Sequence, residues 1–378
     1  MRKFEFIIDK KQGAARTGRL RTPHGEIVTP VFMPVGTRAA VKSLTPDQVW
    51  DSGARILLSN AYHLYLRPGT EIIETLGGLH SFMGWQGAIL TDSGGFQIIS
   101  FGGLVAIDDE AVRFRSHIDG SLVTFTPERS ITTQVALGAD IIMCLDQPVQ
   151  YPSGREEAAD AVRRTVLWAR RSKEIEIPEG QALFGIVQGS IYTDLRERCV
   201  DELCRLGFSG YALGGLSVGE PVQDFYRVMK ETAAMLPEDR PRYLMGVGHP
   251  LDLVEGAEAG VDMFDCVLPT RNARHGRAYT FAGPLNLRNA AHRDDRSPLE
   301  DGCPCYTCSR FSRGYIRHLL HESEALGSTL ITIHNLCFFF RLMEKIRNGI
   351  LSGGIEPLKE EMRRLYPRKG YGEAASKD

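Results

Sequence analysis

Short apolar segments recur along the chain, and each ends in small or polar residues. Eight of them are candidate β-strands: 30–36, 56–60, 89–95, 140–146, 183–189, 210–215, 243–246 and 263–267. Strand–helix alternation repeated in this way is typical of a parallel (β/α)8 TIM barrel, an α/β fold, with a doubly wound open sheet as the alternative. We favour the barrel because polar residues end many separate strands, which is how barrel enzymes assemble their active sites.

Helical patterns separate the candidate strands. The periodicity predicts helices over residues 153–175, 193–206, 221–236 and 250–259. The first begins at Ser153 with Glu156 three positions later, which is the spacing of a capping box. Gly207 follows the second, as expected at a helix C-terminus.

Two regions interrupt the rhythm. Residues 101–125 contain an alternating run with an Asp119–Gly120 turn, which predicts an inserted β-hairpin. We expect a (β/α)8 barrel from residues 1–270 and 335–366, which includes an N-terminal β-hairpin and a closing helix over 334–350. A second inserted subdomain is expected at 271–334, and a frayed tail at 367–378.

A cysteine cluster marks the inserted subdomain. Cys303, Cys305 and Cys308 lie within six positions, and His334 follows after residues 309–333. Three thiolates and one imidazole complete the tetrahedral shell of a structural Zn²⁺ and leave no position open for substrate. We therefore expect one structural Zn²⁺ per subunit and chemistry elsewhere in the fold. Three free cysteines clustered by chance are the alternative.

Composition sets limits on partners and compartment. The chain has 378 residues and a net charge of −2, so nucleic-acid binding would require a local positive surface. No apolar run approaches the roughly 20 residues needed to span a bilayer, and the N-terminus lacks a signal-peptide core. The other cysteines are scattered in apolar contexts, which indicates reduced thiols and a cytoplasmic protein without a membrane partner.

Three aspartates end apolar strands: Asp92, Asp146 and Asp265. A carboxylate in such a position is costly unless it is paired or used, although any one of the three is also a candidate helix cap. Two carboxylates facing a substrate suit a nucleophile and a general acid/base at a sugar C1 carbon. A third accepts two parallel N–H bonds from a guanidine-like base edge.

Other residues extend this candidate site. Gln188 and the Gly214–Gly215 backbone are candidate donors to a carbonyl oxygen, and Phe96 and Met245 are candidate faces for stacking a flat ligand. For the last two, core packing is the alternative. Basic residues follow Asp265 and surround the cysteines: Arg271, Arg274, His275, Arg277, Arg288, His292, Arg293, Arg296, Arg310, Arg313, Arg317 and His318. They indicate a phosphate-backbone contact, with a solvated surface as the alternative.

The motifs together resemble a known family. They are T-D-S-G-G-F-Q (91–97), F-G-I-V-Q-G (184–189), G-G-L-S-V-G-E (214–220), M-F-D-C-V-L-P-T-R (263–271) and C-x-C-x-x-C with a distal His. In this order they resemble bacterial tRNA-guanine transglycosylase from about residue 30 to residue 350. The resemblance implies exchange of the wobble guanine in GUN-anticodon tRNAs for the deazaguanine preQ1, a step in queuosine biosynthesis.

The resemblance also implies residue roles. Asp265 would be the nucleophile that forms a covalent RNA–enzyme intermediate, and Asp92 the general acid/base. The remaining matches are base-edge contacts at Asp146, Gln188, Gly215 and Ser93, the aminomethyl-recognising carbonyl of Leu216, a base sandwich of Phe96 and Met245, and RNA contacts at Arg271 and Arg274. Expected partners are preQ1, guanine, tRNAs of the Asp, Asn, His and Tyr types, and a second copy in a homodimer.

The chain departs from the family pattern at the pocket rim. Gln147 and Pro148 follow Asp146 where the family usually has Glu and Cys, which leaves the preference among preQ1, preQ0 and queuine open. Val218 is retained, and its bulk argues against a queuine-sized substituent. Phe96 stands where many members have Tyr, so stacking is expected without a hydroxyl contact.

Three other interpretations of the sequence are disfavoured. A zinc-dependent barrel hydrolase would need an open metal site at strand ends, and the sequence offers no H-x-H there. A catalytically inactive tRNA-binding subunit is disfavoured by the presence of both Asp92 and Asp265. An archaeal-type relative would be expected to carry a C-terminal RNA-binding extension.

Overall fold

A closed barrel of eight parallel strands forms the centre of the computed structural model, which describes residues 3–100 and 104–368. The strands are β1 (Glu5–Gln12), β2 (Ala15–Thr22), β3 (Gly25–Thr29), β4 (Val31–Gly36), β5 (Ile56–Ser59), β6 (Ala88–Thr91), β7 (Leu104–Ile107), β8 (Val112–Arg115), β9 (Leu122–Phe125), β10 (Ile141–Met143), β11 (Ala182–Val187), β12 (Gly210–Leu213), β13 (Arg242–Leu244), β14 (Met263–Cys266), β15 (Arg277–Ala278) and β16 (Leu285–Asn286). The helices are α1 (Pro46–Asp51), α2 (Ala61–Leu66), α3 (Thr70–Thr75), α4 (Gly78–Met83), α5 (Gly95–Ser100), α6 (Pro127–Leu137), α7 (Arg155–Lys173), α8 (Thr193–Leu206), α9 (Val222–Met235), α10 (Pro250–Glu258), α11 (Leu268–Arg274), α12 (Arg313–His321), α13 (Ala325–Ser352) and α14 (Glu356–Leu365).

The barrel confirms the predicted fold class. Its strand order is β4–β5–β6–β10–β11–β12–β13–β14, and β14 pairs with β4 to close it. Each of the eight candidate strands coincides with one barrel strand. Because the sheet closes on itself, the doubly wound open sheet is excluded.

Alternation along the strands separates two apolar layers. Met33, Leu58 and Met263 belong to the cluster inside the barrel, whereas Phe32 and Phe264 pack outward against the helices. A period of two residues produces this division, since successive side chains of a strand point to opposite faces. The same period carries polar side chains into the barrel mouth.

The N-terminal segment forms a three-stranded antiparallel sheet, β1–β2–β3, where a two-stranded hairpin was expected. Leu20 and Ile27 pack into the interior cluster, so this sheet covers the end of the barrel where the strands begin. The buried Arg16 fixes it there, because its Nε and Nη2 atoms donate to Asp262 at 2.9 and 2.6 Å. The third strand adds the apolar side chain Ile27 that this closure needs.

The insertion after α5 is also larger than a hairpin. Strands β7, β8 and β9 form a three-stranded antiparallel sheet, and residues 101–103 of the predicted segment lie outside the described residues. The predicted Asp119–Gly120 turn lies in the connection between β8 and β9. Gly120 adopts a φ of 76° there, a conformation that favours glycine.

The four helices predicted between the barrel strands lie within two residues of the predicted bounds. Helix α8 spans Thr193–Leu206 as predicted, and Gly207 ends it in the left-handed conformation. The predicted capping box at Ser153 is wrong, because α7 begins at Arg155 with Gly154 as its N-cap and no side-chain cap. The hydroxyl of Ser153 instead donates to the Ser190 hydroxyl at 3.1 Å.

The predicted closing helix is longer than expected. Helix α13 starts at Ala325, and its contacts extend from α12 in the inserted subdomain to the barrel strand β4. The proposed domain boundary after His334 therefore falls inside one helix. Among the described residues, α13 alone is long and apolar enough to cross a bilayer, but 72% of its apolar window is buried in the fold. Such burial is typical of a core helix.

Candidate active site and metal centre

The barrel places its polar candidates at the carboxyl ends of the strands. Three stand two positions after interior residues, namely Asp92 after Leu90, Gln188 after Ile186 and Asp265 after Met263. Because side chains alternate along a strand, all three face the barrel mouth. Asp146 joins them from the segment that follows β10, and all four side chains are buried.

Asp265 is held in one orientation by two donors. The Tyr243 hydroxyl and the Gly246 N–H donate to its Oδ1 atom at 2.6 and 2.7 Å. Burial raises the pKa of Asp265 above its ordinary value, and these two hydrogen bonds oppose that rise. Since both bonds use Oδ1, Oδ2 is the oxygen that can attack an electrophilic carbon.

Asp92 carries a pKa suited to proton transfer. Burial raises the pKa of Asp92 to about 7, with the charges of Asp265 and Asp146 adding to the rise. The Ala61 N–H at 3.0 Å from Oδ1 and the Gln97 amide at 2.9 Å from Oδ2 oppose it. A carboxyl group with this pKa exists in both protonation states near neutral pH, as general acid/base catalysis requires.

Asp146 and Gln188 form a polar edge in the mouth. Gln188 Nε2 donates to Asp146 Oδ2 at 2.7 Å, and the Ser93 hydroxyl donates to Oδ1 at 3.0 Å. Burial raises the pKa of Asp146 to about 6. Within the described ranges Gln188 Oε1 is buried and has no hydrogen-bond partner, so it is ready to accept one from a ligand. A Cβ atom on Gly215 would lie 2.4 Å from this oxygen.

The turn after β12 is fixed from two sides. The fully buried Arg196 donates from Nη2 to the Gly214 carbonyl at 3.0 Å. The buried Glu220 carboxylate accepts the N–H of Val218 at 2.9 Å. Leu216 lies between these two anchors and is buried. Sequence analysis singled out neither anchor, because a buried charge is visible only once its partners are known.

Two further residues of the site were missed. The Asn60 side chain donates to Asp92 Oδ2, and Tyr243 donates to Asp265. Asn60 ends a predicted strand, so the reasoning applied to the aspartates also points to it. Tyr243 lies within an apolar segment and carries no signal that separates it from the core.

A cavity of about 220 Å³ opens at the rim of the mouth. Its lining consists of Phe96, Ile99, Pro148, Val149, Gln150, Ser217 and Val218. Phe96 is 52% exposed, so its ring is available to a ligand. Met245 packs against the barrel interior and does not line this cavity. Gln147 does not line it, and Arg164 donates to the Gln147 side chain.

Arg271 and Arg274 lie on α11, immediately after the strand that carries Asp265. Both are exposed. Arg274 Nη1 donates to the Thr270 carbonyl at 3.0 Å, which fixes its direction. Two positive charges therefore lie beside the barrel mouth, in a position to contact a phosphate backbone.

The predicted metal ligands come together. His334 Nδ1 lies 3.7, 3.7 and 3.3 Å from the Sγ atoms of Cys303, Cys305 and Cys308. Zinc bonds of about 2.3 Å to sulfur and 2.0 Å to nitrogen place tetrahedral ligands about 3.5 Å apart, so the four residues fit the ion. His334 Nε2 donates to the Tyr279 carbonyl at 2.7 Å, which leaves the Nδ1 lone pair for the metal. All eight cysteines of the chain are free.

Comparison with known proteins assigns the family. A family model described as queuine tRNA-ribosyltransferase matches residues 10–368. A queuine tRNA-ribosyltransferase of Pelotomaculum thermopropionicum is 55% identical over 96% of this chain and 98% of its own length. The protein of the same name from Halothermothrix orenii is 54% identical over 97% of this chain and 98% of its own. The chain belongs to the queuine tRNA-ribosyltransferase family.

Proposed function

We propose that this protein is a tRNA-guanine transglycosylase, which exchanges guanine at the wobble position of tRNA for a queuine precursor. The observation that carries the proposal is the pair of buried carboxylates, Asp265 and Asp92, brought by separate strands to one barrel mouth. The charge of Asp265 contributes to the raised pKa of Asp92. In such a pair, one residue can act as the nucleophile and the other can carry the proton.

Asp265 is the proposed nucleophile. Its Oδ2 forms a bond to C1′ of the target ribose while the bond from C1′ to guanine N9 breaks and its electron pair moves to N9. The bonds from Tyr243 and Gly246 to Oδ1 favour the ionised form of the carboxylate and fix its orientation. The covalent ribosyl ester conserves the glycosidic bond energy, so the exchange needs no nucleotide or redox cofactor.

Asp92 is the proposed general acid/base. It gives its proton to the departing guanine, and the resulting carboxylate then accepts the N9 proton of the incoming base. N9 of that base attacks C1′, and Asp265 leaves as a carboxylate, which restores the enzyme. The pKa of about 7 supports both steps, because Asp92 can hold or release a proton near neutral pH.

The polar edge of the mouth is proposed to recognise the base. Asp146, with the orientation set by Ser93, accepts N–H bonds from the guanine-like edge. Gln188 was expected to donate to the base, but its Nε2 donates to Asp146, so its free Oε1 is proposed as an acceptor instead. The Gly215 backbone and the Leu216 carbonyl provide further contacts, the latter to an aminomethyl group. Phe96 and Met245 are proposed to enclose the base plane. Because Met245 does not line the rim cavity, its side chain would have to extend from the barrel interior toward the base.

The incoming base is proposed to be preQ1. Pro148 and Val218 line the rim cavity together, so part of its wall is apolar. A small aminomethyl substituent fits beside the Leu216 carbonyl, whereas the bulk of a queuine side chain would meet Val218. Pro148 stands at the position where the family usually has a thiol. The neighbouring Gln147 side chain accepts a hydrogen bond from Arg164.

The nucleic-acid partner is proposed to be tRNA of the Asp, Asn, His and Tyr types, with Arg271 and Arg274 contacting its backbone. The anticodon loop is single-stranded, so flipping its wobble base into the mouth costs little. A homodimer in which the second subunit helps to hold the tRNA is part of this proposal. The eight cysteines form no disulfide bond, which supports a reducing, cytoplasmic compartment.

The metal centre is proposed to hold one structural Zn²⁺ through Cys303, Cys305, Cys308 and His334. Four protein ligands close the coordination shell, so the ion would join α13 to the cysteine loop and take no part in base exchange. We propose residues 271–334 as the zinc-binding insertion, 1–270 with 335–366 as the barrel, and 367–378 as a tail. Apart from residues 367 and 368, that tail lies outside the described residues.

Incorporation of radiolabelled guanine into tRNA of the Tyr type tests the proposal. Wild-type protein should incorporate the label and Asp265→Asn should not, while both bind equal zinc. Unlabelled preQ1 should compete better than preQ0 or queuine. No incorporation by zinc-replete wild type would contradict base exchange and favour a tRNA-binding subunit without activity.

A further inference from the structure

A further sulfur atom lies against the proposed zinc centre. Cys337 is on α13, three residues after His334, so both side chains leave the same face of that helix. The Cys337 side chain packs with Cys303 and Cys305 in one small cluster and forms hydrogen bonds with both. Cys337 is distant from these cysteines in the sequence, so the packing of α13 against the cysteine loop brings the thiols together.

Cys337 is a neighbour of the centre and not one of its ligands. The ligand atoms of Cys303, Cys305, Cys308 and His334 all lie within 4.8 Å of one another, and Cys337 is outside this group. Those four residues fill a tetrahedral shell by themselves. Cys337 is therefore an uncommitted thiol beside two sulfur atoms that are thiolates when the site holds its metal.

A charged residue supports the same placement. Arg341 lies one turn after Cys337 on α13, and its guanidinium is close enough to interact with both Cys303 and Cys337. The Glu300 carboxylate accepts a hydrogen bond from Arg341, which fixes the direction of the guanidinium. The sulfur atoms of Cys303 and Cys337 thus share one environment between α13 and the cysteine loop.

A small oxidant can reach this cluster. Cys303 and Cys337 are 7% and 9% exposed, whereas Cys144 at the end of β10 is 1% exposed. The partly exposed Cys308 lines a surface cavity of about 390 Å³. The centre therefore lies close to solvent, and a molecule as small as hydrogen peroxide can approach its sulfur atoms.

We propose that Cys337 is a resolving thiol, which forms a disulfide with Cys303 or Cys305 when the centre meets a peroxide, so that the metal is released. In the first step a ligating thiolate attacks hydrogen peroxide, the O–O bond breaks, and a sulfenic acid and hydroxide form. In the second step the Cys337 sulfur attacks the sulfenic sulfur, the S–O bond breaks, and the thiol proton leaves in water. Two sulfur atoms are oxidised and one peroxide is reduced.

The position of Cys337 suits the second step. In the described chain it is the one thiol of this cluster that the proposed metal shell does not use, so its sulfur is free to attack. The disulfide removes one thiolate from the shell, and the three ligands that remain hold the ion more weakly. A disulfide is also reversible by thiols, whereas further oxidation of a sulfenic acid is not.

Loss of the metal would affect the helix that carries the two proposed RNA-contacting arginines. Asn335, next to His334, donates from Nδ2 to the Pro269 carbonyl at 2.9 Å and to the Arg277 carbonyl at 3.1 Å. These carbonyls lie near the start of α11 and just beyond its end. Oxidation should therefore weaken RNA binding, a consequence that rests on the proposed function. The disulfide and the metal loss rest on the proposed zinc centre alone.

Zinc release under peroxide tests the proposal. Full-length wild type, Cys337→Ala and Cys337→Ser, each first analysed for zinc per chain, are exposed to hydrogen peroxide beside a chromogenic zinc chelator. Wild type should lose its zinc, and both variants should keep it under the same exposure. The matched control is Cys204→Ala, because Cys204 is a partly exposed thiol on α8, outside the cluster. It should lose zinc as wild type does.

Peptide mapping of the oxidised wild type should find a disulfide between Cys337 and Cys303 or Cys305, and a thiol reductant with added Zn²⁺ should restore the zinc. Equal zinc loss by wild type and both Cys337 variants would overturn the proposal. So would a disulfide that joins only ligand cysteines. Untreated wild type without zinc would overturn it together with the metal centre itself. Absence of guanine incorporation, with zinc release as expected, would contradict base exchange alone.

Discussion

Replacement of Tyr243 by Phe isolates one hydrogen bond to the proposed nucleophile. Tyr243 is fully buried in the barrel interior, and its hydroxyl donates to Asp265 Oδ1 at 2.6 Å. Phe keeps the ring and its packing, and the Gly246 N–H still bonds the same oxygen at 2.7 Å. The substitution therefore changes the stability of the Asp265 carboxylate with little change in shape.

The expected effect follows from the strength of that bond. A hydrogen bond to a charged group contributes about 1.5–3 kcal/mol. Its loss should raise the pKa of Asp265 further and slow the reaction by about 10–100-fold at acidic pH, since about 1.4 kcal/mol corresponds to a factor of ten. The bond favours the ionised form, so the loss of activity should be greatest at low pH and should diminish as pH rises.

The assay is the rate of covalent RNA–enzyme formation at saturating tRNA, measured as a function of pH. The acidic limb of the Tyr243→Phe profile should move to higher pH, and the plateau should approach that of wild type. The control is Tyr211→Phe, since the Tyr211 hydroxyl accepts the Phe208 N–H in the outer layer, away from the aspartates. An equal loss at every pH would refute control of Asp265 ionisation by Tyr243.

Three other substitutions test separate parts of the account. Asp92→Asn should slow guanine incorporation by about 10²–10⁴-fold, because it removes the proton carrier, and this loss should persist at every pH between 5 and 9. Gly215→Ala should raise KM for the base and lower the melting temperature, because the added Cβ lies 2.4 Å from Gln188 Oε1 at a φ of 62°. Cys305→Ser should lose zinc and expose the C-terminal region to limited proteolysis, whereas Cys204→Ser should do neither. Retention of zinc by Cys305→Ser would contradict the assigned ligand set.

The barrel could be predicted because its pattern is local and repeated. Each strand is an apolar run ended by polar residues, and α8 carries a complete signal with helical spacing and Gly207 at its end. The N-terminal sheet was predicted as a hairpin only, because closure of the barrel by Leu20 and Ile27 depends on residues distant in sequence. Ser153 does not cap α7, because its hydroxyl donates instead to Ser190, a residue distant in sequence.

The residues of the site also fall into those that the sequence predicts and those that depend on tertiary contacts. Asp92, Asp146 and Asp265 could be found from the sequence, since a carboxylate after an apolar strand stands out. The residues that hold the site in place could not be predicted, because the roles of Tyr243 and Arg196 depend on tertiary contacts. The place of Cys337 beside the zinc ligands was missed for that reason too, as it depends on the packing of α13 against the cysteine loop.

Covalent capture of RNA tests the central claim most directly. Wild type and Asp265→Asn are each incubated with an anticodon stem-loop of the Tyr type and analysed on a denaturing gel, with melting temperature and zinc content as folding controls. The account predicts a denaturant-stable adduct for wild type, mapped by peptide analysis to Asp265, and none for Asp265→Asn. An adduct that persists in the folded Asp265→Asn protein, or that maps to another residue, would contradict it.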